Sequence, residues 1–367
     1  MSPARPFQVR RVVVKVGTSI VTRGDGRLAL GRLGALVEEL HALHQHAEVV
    51  LVTSGSIGLG AARLGYDAVP SEVVDRQACA AAGQGALIAT YDALFRQLDL
   101  AAAQVLLTED DFLHRRRYLN LRATLERLVA RGAVPVVNEN DTVSTLELAC
   151  GRDRVFGDND RLSALVAAGL DADLLVLLTD VDGVYTAAPG TPDACRIDTW
   201  QDDKVSLGPG SALGRGGMGA KLRAARMAQH VGVHVVIASG FVPGVLGRVV
   251  AGDVEGTWFP AQAGLSQRGR WLAYASAPDG RITVDAGARE AILSRGASLL
   301  PVGVTQVEGD FSASAIVSLI GPDGTEFARG VAASDARSAR ARCGQSGERA
   351  LIHRDDIVFL QLDPEAQ

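Results

Sequence analysis

Two lysines stand in unusual company. In "VVVKVGTS", Lys15 interrupts a run of valines and is followed at once by Val16 and the small residues Gly17, Thr18 and Ser19. In "GGMGAKLRAARMAQH", Lys221 follows the glycine-rich stretch from Gly214 to Gly219 and opens a helical pattern. A lysine at a strand end ordinarily runs its aliphatic stem along apolar surface and leaves its charge in water. The alternative for Lys15 is a place at the carboxyl end of a central strand, the edge where open α/β sheets bind ligands. Lys221 faces an unfavourable dipole at the start of a helix, so a ligand that needs its charge explains its position better than the helix does. In "FGDNDRLSALVAAG", Asp158, Asn159 and Asp160 crowd the start of another helical pattern. Asp158 fits an N-cap, but one cap does not require three such residues. Asp160 has the charge to hold two ammonium groups through charge-assisted hydrogen bonds.

Three more stretches have polar or glycine-rich tips. "TSGSIGLG", Thr53 to Gly60, follows a strand pattern and precedes a helix, where backbone amides and the helix dipole suit a phosphate or carboxylate. A tight turn needs glycine as well, so this stretch alone decides nothing. Gly55, Gly58 and Gly60 have the reverse of the dinucleotide-binding spacing, and no GK[ST] occurs, which disfavours a nicotinamide dehydrogenase and excludes a P-loop. "NEND", Asn138 to Asp141, ends a strand pattern with amides and carboxylates that suit a small zwitterion or a capped turn. "LLTDVDG" delivers Thr179 and Asp180 after a run of apolar residues, and Asp182 with Gly183 marks a turn.

The elements that must position these residues follow from periodicity. Short β-branched runs ("VVVKV", "AEVVLVT", "AQVLL", "AVPVVN", "DLLVLLT", "VHVVIAS") alternate with alanine- and leucine-rich helical segments up to about Val250. This predicts an α/β architecture, a mainly parallel open sheet sandwiched by helices. The rhythm stops near "AQAGLSQRGRWLAYASAPDGR". Beyond it, the helical "AGAREAILSRG" and brief alternating runs such as "AIVSLI" and "DIVFLQL" predict a small β-rich second domain. The expected boundary is near Ala277, giving domains at 8–277 and 278–367.

The 367 residues, 47% hydrophobic and 22% charged, are ordinary for a globular protein. A net charge of -5 offers no general attraction to nucleic acid or to an anionic membrane. Four scattered cysteines, Cys79, Cys150, Cys195 and Cys343, form no C-x-x-C pair and fit a reducing compartment. The start "MSPARPFQVRR" lacks the apolar core of a secretion signal, and no apolar run is long enough to span a bilayer, so the expectation is a cytoplasmic protein. "HALHQH" reads as a solvated helix face.

The ordered set "VVKVGTS", "TSGSIGLG", "PVVNENDTV", "FGDNDRLSALV", "LLTDVDGVYT" and "GGMGAKL", followed by "ITVDAGAREAILSRGASLLPVGV", resembles the amino acid kinase family. Within it, the chain looks like the branch that phosphorylates free glutamate and carries a C-terminal PUA-type domain. The resemblance implies transfer from ATP, with Mg2+, to the side-chain carboxylate of L-glutamate, giving γ-glutamyl phosphate for proline synthesis. It implies that Lys15 and Lys221 hold the transferring phosphoryl group and that Asp160 organises them. Ser54, Asp141 and Asn159 match glutamate-binding positions, with Gly55, Asn138 and Asp158 lining the same pocket. Lys15, Thr179, Asp180, Gly216, Gly217, Met218 and Lys221 match the nucleotide side, and no residue is assigned to a metal. Homo-oligomers (dimer or tetramer), proline as feedback inhibitor and a glutamyl phosphate reductase as recipient of the product are implied in the same way. The chemistry agrees, because a carboxylate nucleophile is ionised at neutral pH and needs no general base.

Three features depart from the family pattern. "TVSTLELACGRDRVF" is longer than usual, "FSASAIV" lacks the arginine and glycine common there, and Arg215 replaces a threonine or serine. Arg215 is either a solvated loop charge or a further phosphate ligand, for which a guanidinium is well suited. Other members phosphorylate acetylglutamate or aspartate, and "NEND" with "GDND" favours free glutamate. PUA domains elsewhere bind RNA, but acidic residues outnumber basic ones beyond Arg281 and no lysine occurs there, which makes nucleic acid an unsuitable partner.

Overall fold

The strands of the first sheet consist mostly of valine, leucine and isoleucine, residues that fit a pleated surface covered on both sides. The structure is a computed structural model that describes residues 9–143, 159–187, 191, 194–201, 217–253, 256–262, 278–347 and 349–360. It divides into two compact units, Met1–Asp111 with Leu119–Gly264, and Phe112–Tyr118 with Leu265–Gln367.

In chain order the first part runs β1 (Arg11–Val16), α1 (Thr18–Val21), α2 (Leu30–His44), β2 (Glu48–Val52), α3 (Ser56–Leu64), α4 (Val73–Arg96) and β3 (Ala102–Leu107). It continues with α5 (Asp110–Leu113), α6 (Arg115–Ala130), β4 (Val134–Glu139), α7 (Asn159–Gly169), β5 (Leu174–Thr179) and α8 (Gly217–His230). β6 (His234–Ser239), α9 (Val245–Ala251) and β7 (Gly256–Phe259) complete it. The strands form one 7-stranded sheet in the order β3-β4-β2-β1-β5-β6-β7. All the pairings are parallel except that of β6 with β7. The sequence reading finds the six parallel strands and misses β7, a four-residue antiparallel edge strand too short to show an alternation.

Strand order reverses direction at β1. The chain goes from β1 to β2 and outward on one side, then returns to place β5 on the other. A crevice opens at such a point because the flanking connections leave in opposite directions. Lys15, paired in register with Val52 on one side and Leu177 on the other, lies there. Alternation along β1 sends Val12, Val14 and Val16 into a core with Leu33, Leu40, Leu87, Tyr91, Phe95 and Leu246 from α2, α4 and α9. Val13 and Lys15 therefore take the opposite face, where α7 packs on β1 and α8 packs on α7.

Local packing holds the loops that follow the strands. After β1, the Gly17 N–H donates to Leu178 O at 3.1 Å. The Arg32 guanidinium donates to the carbonyls of Ile20 (3.0 Å), Ser19 (3.2 Å) and Thr22 (2.7 Å), satisfying the C-terminal end of α1. The stretch expected as a glycine loop after β2 is mostly helix. Only Thr53, Ser54 and Gly55, the last at φ +103°, lie between strand and helix, and α3 begins at Ser56 with Gly58 and Gly60 inside it. Gly60 and Gly83 serve helix packing instead. A Cβ on Gly60 would lie 1.7 Å from Cys79 O, and one on Gly83 would lie 1.9 Å from Ser56 O. "HALHQH" is also less solvated than expected. His46 is exposed, whereas His41 and His44 are partly buried with Leu40 and Leu43 near the end of α2.

The second unit contains β8 (Gly280–Val284), α10 (Ala286–Arg295), β9 (Val304–Gly309), β10 (Ile316–Ile320), β11 (Glu326–Val331), α11 (Ala336–Arg342) and β12 (Ile357–Phe359). Its 5-stranded sheet has the order β12-β11-β10-β8-β9 around a core that includes Ile282, Val284, Ile292, Leu319 and Phe327. Asp285 caps α10 by accepting from Ala288 N at 2.7 Å. The helix and the run "AIVSLI" expected from sequence in this region are present, and β12 takes up Ile357–Phe359 of "DIVFLQL", whose last two residues lie outside the described ones.

The α3–α4 contact has no room for a methyl group against backbone atoms. Gly60→Ala and Gly83→Ala are each expected to cost about 1–3 kcal/mol by overpacking. Denaturant midpoints at unchanged m-value measure this, and parental stability in either variant would show that the helices part without cost.

Candidate functional site

At the carboxyl end of β1, the Lys15 Nζ lies 2.6 Å from Asp160 Oδ1. The Lys221 Nζ lies 3.2 Å from Asp160 Oδ2 and also donates to Gly217 O at 3.3 Å. Three elements distant in sequence thus converge on one carboxylate: β1 supplies Lys15, α7 supplies Asp160 in its first turn, and α8 supplies Lys221. Asp160 is 2% exposed and Lys15 5% exposed. Burial pushes the Asp160 carboxyl up, but the Lys15 and Lys221 ammoniums outweigh it and hold the group below the ordinary carboxylate value. The cluster carries a net positive charge facing the sheet edge, which suits an anion with several oxygens.

A second cluster adjoins it, because Asn159 precedes Asp160 on α7. Asn159 Nδ2 donates to Ser54 Oγ at 3.0 Å and to Asn138 Oδ1 at 3.1 Å. Asn138 Nδ2 donates to Gln84 Oε1 at 2.8 Å and to Ser56 Oγ at 3.4 Å. The Ser56 hydroxyl donates to Asp141 Oδ2 at 3.3 Å. Asn138 and Ser54 are buried, and Gly55, Asp141 and Asn159 are partly exposed. Behind this wall, Thr53 Oγ1 and the Tyr91 hydroxyl lie 2.9 Å apart in the core. Burial pushes the Tyr91 phenol up, with the Thr53 hydrogen bond acting the other way.

Across β1, β5 ends in buried Thr179, whose Oγ1 donates to Oδ1 of exposed Asp180 at 2.9 Å. Gly217 and Met218 open α8, one turn before Lys221. Sequence-predicted residues are thus brought together in two linked groups, Lys15, Asp160 and Lys221, and Ser54, Asn138, Asp141 and Asn159 with Gly55 beside Ser54; Thr179 and Asp180 stand at the end of β5, and Gly217 and Met218 at the start of α8. Asp158, Arg215 and Gly216 lie outside the described residues, as do Ala277 and the longer stretch after Val143. Sequence reasoning missed Ser56 and Gln84. Ser56 stood inside a stretch read for its glycines and, through the family resemblance, for Ser54 and Gly55, and Gln84 stood in "GQG", a polar residue between two glycines of an alanine-rich helix.

Among the described residues, no group of three or more His, Cys, Asp or Glu side chains is placed to hold a metal ion. None of their helices is long and apolar enough to cross a membrane.

The model of the amino acid kinase family matches residues 10–239, and that of the PUA domain matches residues 280–350. A glutamate 5-kinase from Moorella thermoacetica is 45% identical over 372 residues, covering 96% of this chain and 97% of that protein. One from Myxococcus xanthus is 45% identical over 369 residues, covering 96% of each. One from Pseudomonas putida is 43% identical over 370 residues, covering 96% of this chain and 98% of that protein.

The buried ion cluster sets an acid limit. Since the folded Asp160 carboxyl lies below its unfolded value, its stabilisation is complete above that value, about pH 4, and is lost as pH falls through the folded one. Asp160→Asn leaves two ammoniums without their shared anion, a loss expected to cost about 3–5 kcal/mol at neutral pH. In urea melts the gap between parent and variant is expected to be constant near neutrality and to close in acid. A gap that does not depend on pH would show that the charge of Asp160 contributes nothing to the fold.

Proposed function

The chain belongs to the amino acid kinase family, and from that premise we propose that it transfers the γ-phosphoryl group of ATP to the side-chain carboxylate of L-glutamate, giving γ-glutamyl phosphate, the first step of proline synthesis. The observation that carries the reading is the pair of lysines on opposite oxygens of one buried aspartate, beside a wall of amides and hydroxyls.

The reaction brings two anions together, so its main requirement is positive charge fixed in place before they meet. Lys15 and Lys221 supply that charge to the phosphoryl group in transfer, and Asp160 orients them. Both oxygens of Asp160 are taken by ammoniums, which keeps it from acting as a base, and the ionised glutamate carboxylate needs none. Ser54, Gly55, Asn138, Asp141 and Asn159 hold glutamate, with Asp141 suited to its α-ammonium. Thr179, Asp180, Gly217 and Met218 hold the nucleotide, Asp158 and Gly216 extend the two sites by family position, and Arg215, where the chain departs from the family, is either a further phosphate ligand or a solvated loop charge.

Magnesium enters with ATP. This ion is commonly held by phosphate oxygens, water and at most a few carboxylates rather than by an all-protein cage. When bound, it neutralises phosphate charge. On the same reading the protein is a cytoplasmic homo-oligomer inhibited by proline, and its labile product passes to a glutamyl phosphate reductase.

Hydroxylamine, which traps an acyl phosphate as a hydroxamate, tests the reaction directly, with acetylglutamate and aspartate as competitors for the role of substrate. Glutamate is expected to give the product, and its absence would overturn the reading. Lys15→Ala and Lys221→Ala are each expected to lower kcat about a hundredfold, a loss of roughly 3 kcal/mol of barrier stabilisation, with smaller changes in KM. Asp141→Ala is expected mainly to raise the KM for glutamate. Turnover near the parental rate in a lysine variant would remove that residue from the reaction.

We further propose 8–277 as the catalytic domain and 278–367 as a tuning domain. A chain ending near Ala277 is expected to fold and to produce hydroxamate. Folded but inactive protein would show that the second domain completes the site.

A further inference from the structure

The two ends of a carboxamide have the same shape, so only their partners decide which way each one points. In the wall beside Asp160, one group leaves no choice. An ionised Asp141 only accepts, so the Ser56 hydroxyl, 3.3 Å away, must spend its hydrogen on it. Ser56 Oγ can then only accept from Asn138, which turns the Asn138 Nδ2 toward Ser56 and Gln84. Gln84 must in turn present Oε1, 2.8 Å from that nitrogen. Both Asn138 N–H groups are now used, and its Oδ1 faces Asn159.

The polarity continues outward. Asn159 has to present Nδ2, and it spends both hydrogens, on Asn138 Oδ1 and on Ser54 Oγ. Two consequences reach the substrate side. Ser54 accepts inside the wall, so its own hydrogen is free to be donated. Asn159 Oδ1 is buried and has no hydrogen-bond partner among the described residues. A buried acceptor left unpaired is costly, so this atom calls for a donor from the bound molecule.

We infer that Gln84, with Ser56, is a positioning residue that fixes the direction of this hydrogen-bond relay and so selects a free ammonium over an acylated amine at the amino acid site. The inference rests on the proposed reading of the wall as that site. A primary ammonium brings three donors, whereas an N-acyl nitrogen brings one N–H and a carbonyl that would oppose Asn159 Oδ1. Gln84 reaches this place because Gly83, the preceding residue, lets α4 approach Ser56 closely.

Gln84→Met keeps length and removes the carbonyl, whereas Gln84→Glu keeps an acceptor oxygen. With the hydroxylamine trap, Gln84→Met is expected to raise the glutamate KM about tenfold, the loss of one buried hydrogen bond, and to leave the ATP KM unchanged. The preference for glutamate over N-acetylglutamate should narrow by a similar factor, and Gln84→Glu should recover most of both effects. A folded Gln84→Met protein with parental glutamate KM would overturn the proposal. So would equal losses in the Met and Glu variants, which would mean that Gln84 only fills volume. If Gln84→Met does not fold, Ser56→Ala is judged by the same rise in glutamate KM. A parent that makes no hydroxamate at all would remove the amino acid site itself, a result distinct from any difference between variants.

Discussion

Ammonium groups repel one another, and two of them can share a small buried space only when an anion stands between them. Asp160 is that anion, with Lys15 at 2.6 Å and Lys221 at 3.2 Å. Much of the first unit serves this contact. β1 must be central and buried so that Lys15 cannot run out to water, α7 must begin where its first turn meets the end of β1, and α8 must bring Lys221 from the other side. Burial makes the arrangement rigid and also costly, because each ion gives up its hydration. The cost is bearable because the three charges arrive together, and the lowered Asp160 carboxyl reflects that balance.

Strand order then separates two tasks. Ser54 follows β2, Asn138 stands one residue before the end of β4 and Asp141 follows that strand, all on one side of β1, while Thr179 ends β5 on the other. On the proposed reading, acceptor and donor of the phosphoryl group approach from opposite sides and meet above Lys15, the residue at which the order of strands reverses. The reversal of strand order in a parallel sheet provides this crevice.

Much of this was legible in the sequence because it depends on local signals. Lys15 announced itself by breaking a valine run, and Asp160 by standing in a cluster larger than one cap requires. The parallel strands were continuous apolar runs, which periodicity reads well. What escaped depended on contacts between distant segments. Gly58 and Gly60 read as loop residues because a sequence does not show that Gly60 faces Cys79 O in a neighbouring helix. Gln84 looked like one polar residue in an alanine-rich helix, and its meaning comes from Asn138, 54 positions away. β7 escaped because a four-residue edge strand carries too little pattern to register.

The contrast between the two clusters has a mechanistic sense on the proposed reading. The wall around Asn138 and Asn159 consists mainly of neutral dipoles, oriented by a chain of hydrogen bonds that starts at Asp141. Such groups interact with parts of the amino acid that do not change charge in the reaction, so they bind ground and transition states alike. The lysines address the phosphoryl group, whose charge is redistributed during transfer, and there a fixed ionic field gains strength as the reaction proceeds. A charged wall would hold glutamate more tightly in the ground state and would also compete with Asp160 for the two ammoniums. Neutral amides avoid that competition, which is a physical reason for carboxamides and hydroxyls to stand directly beside a buried ion cluster.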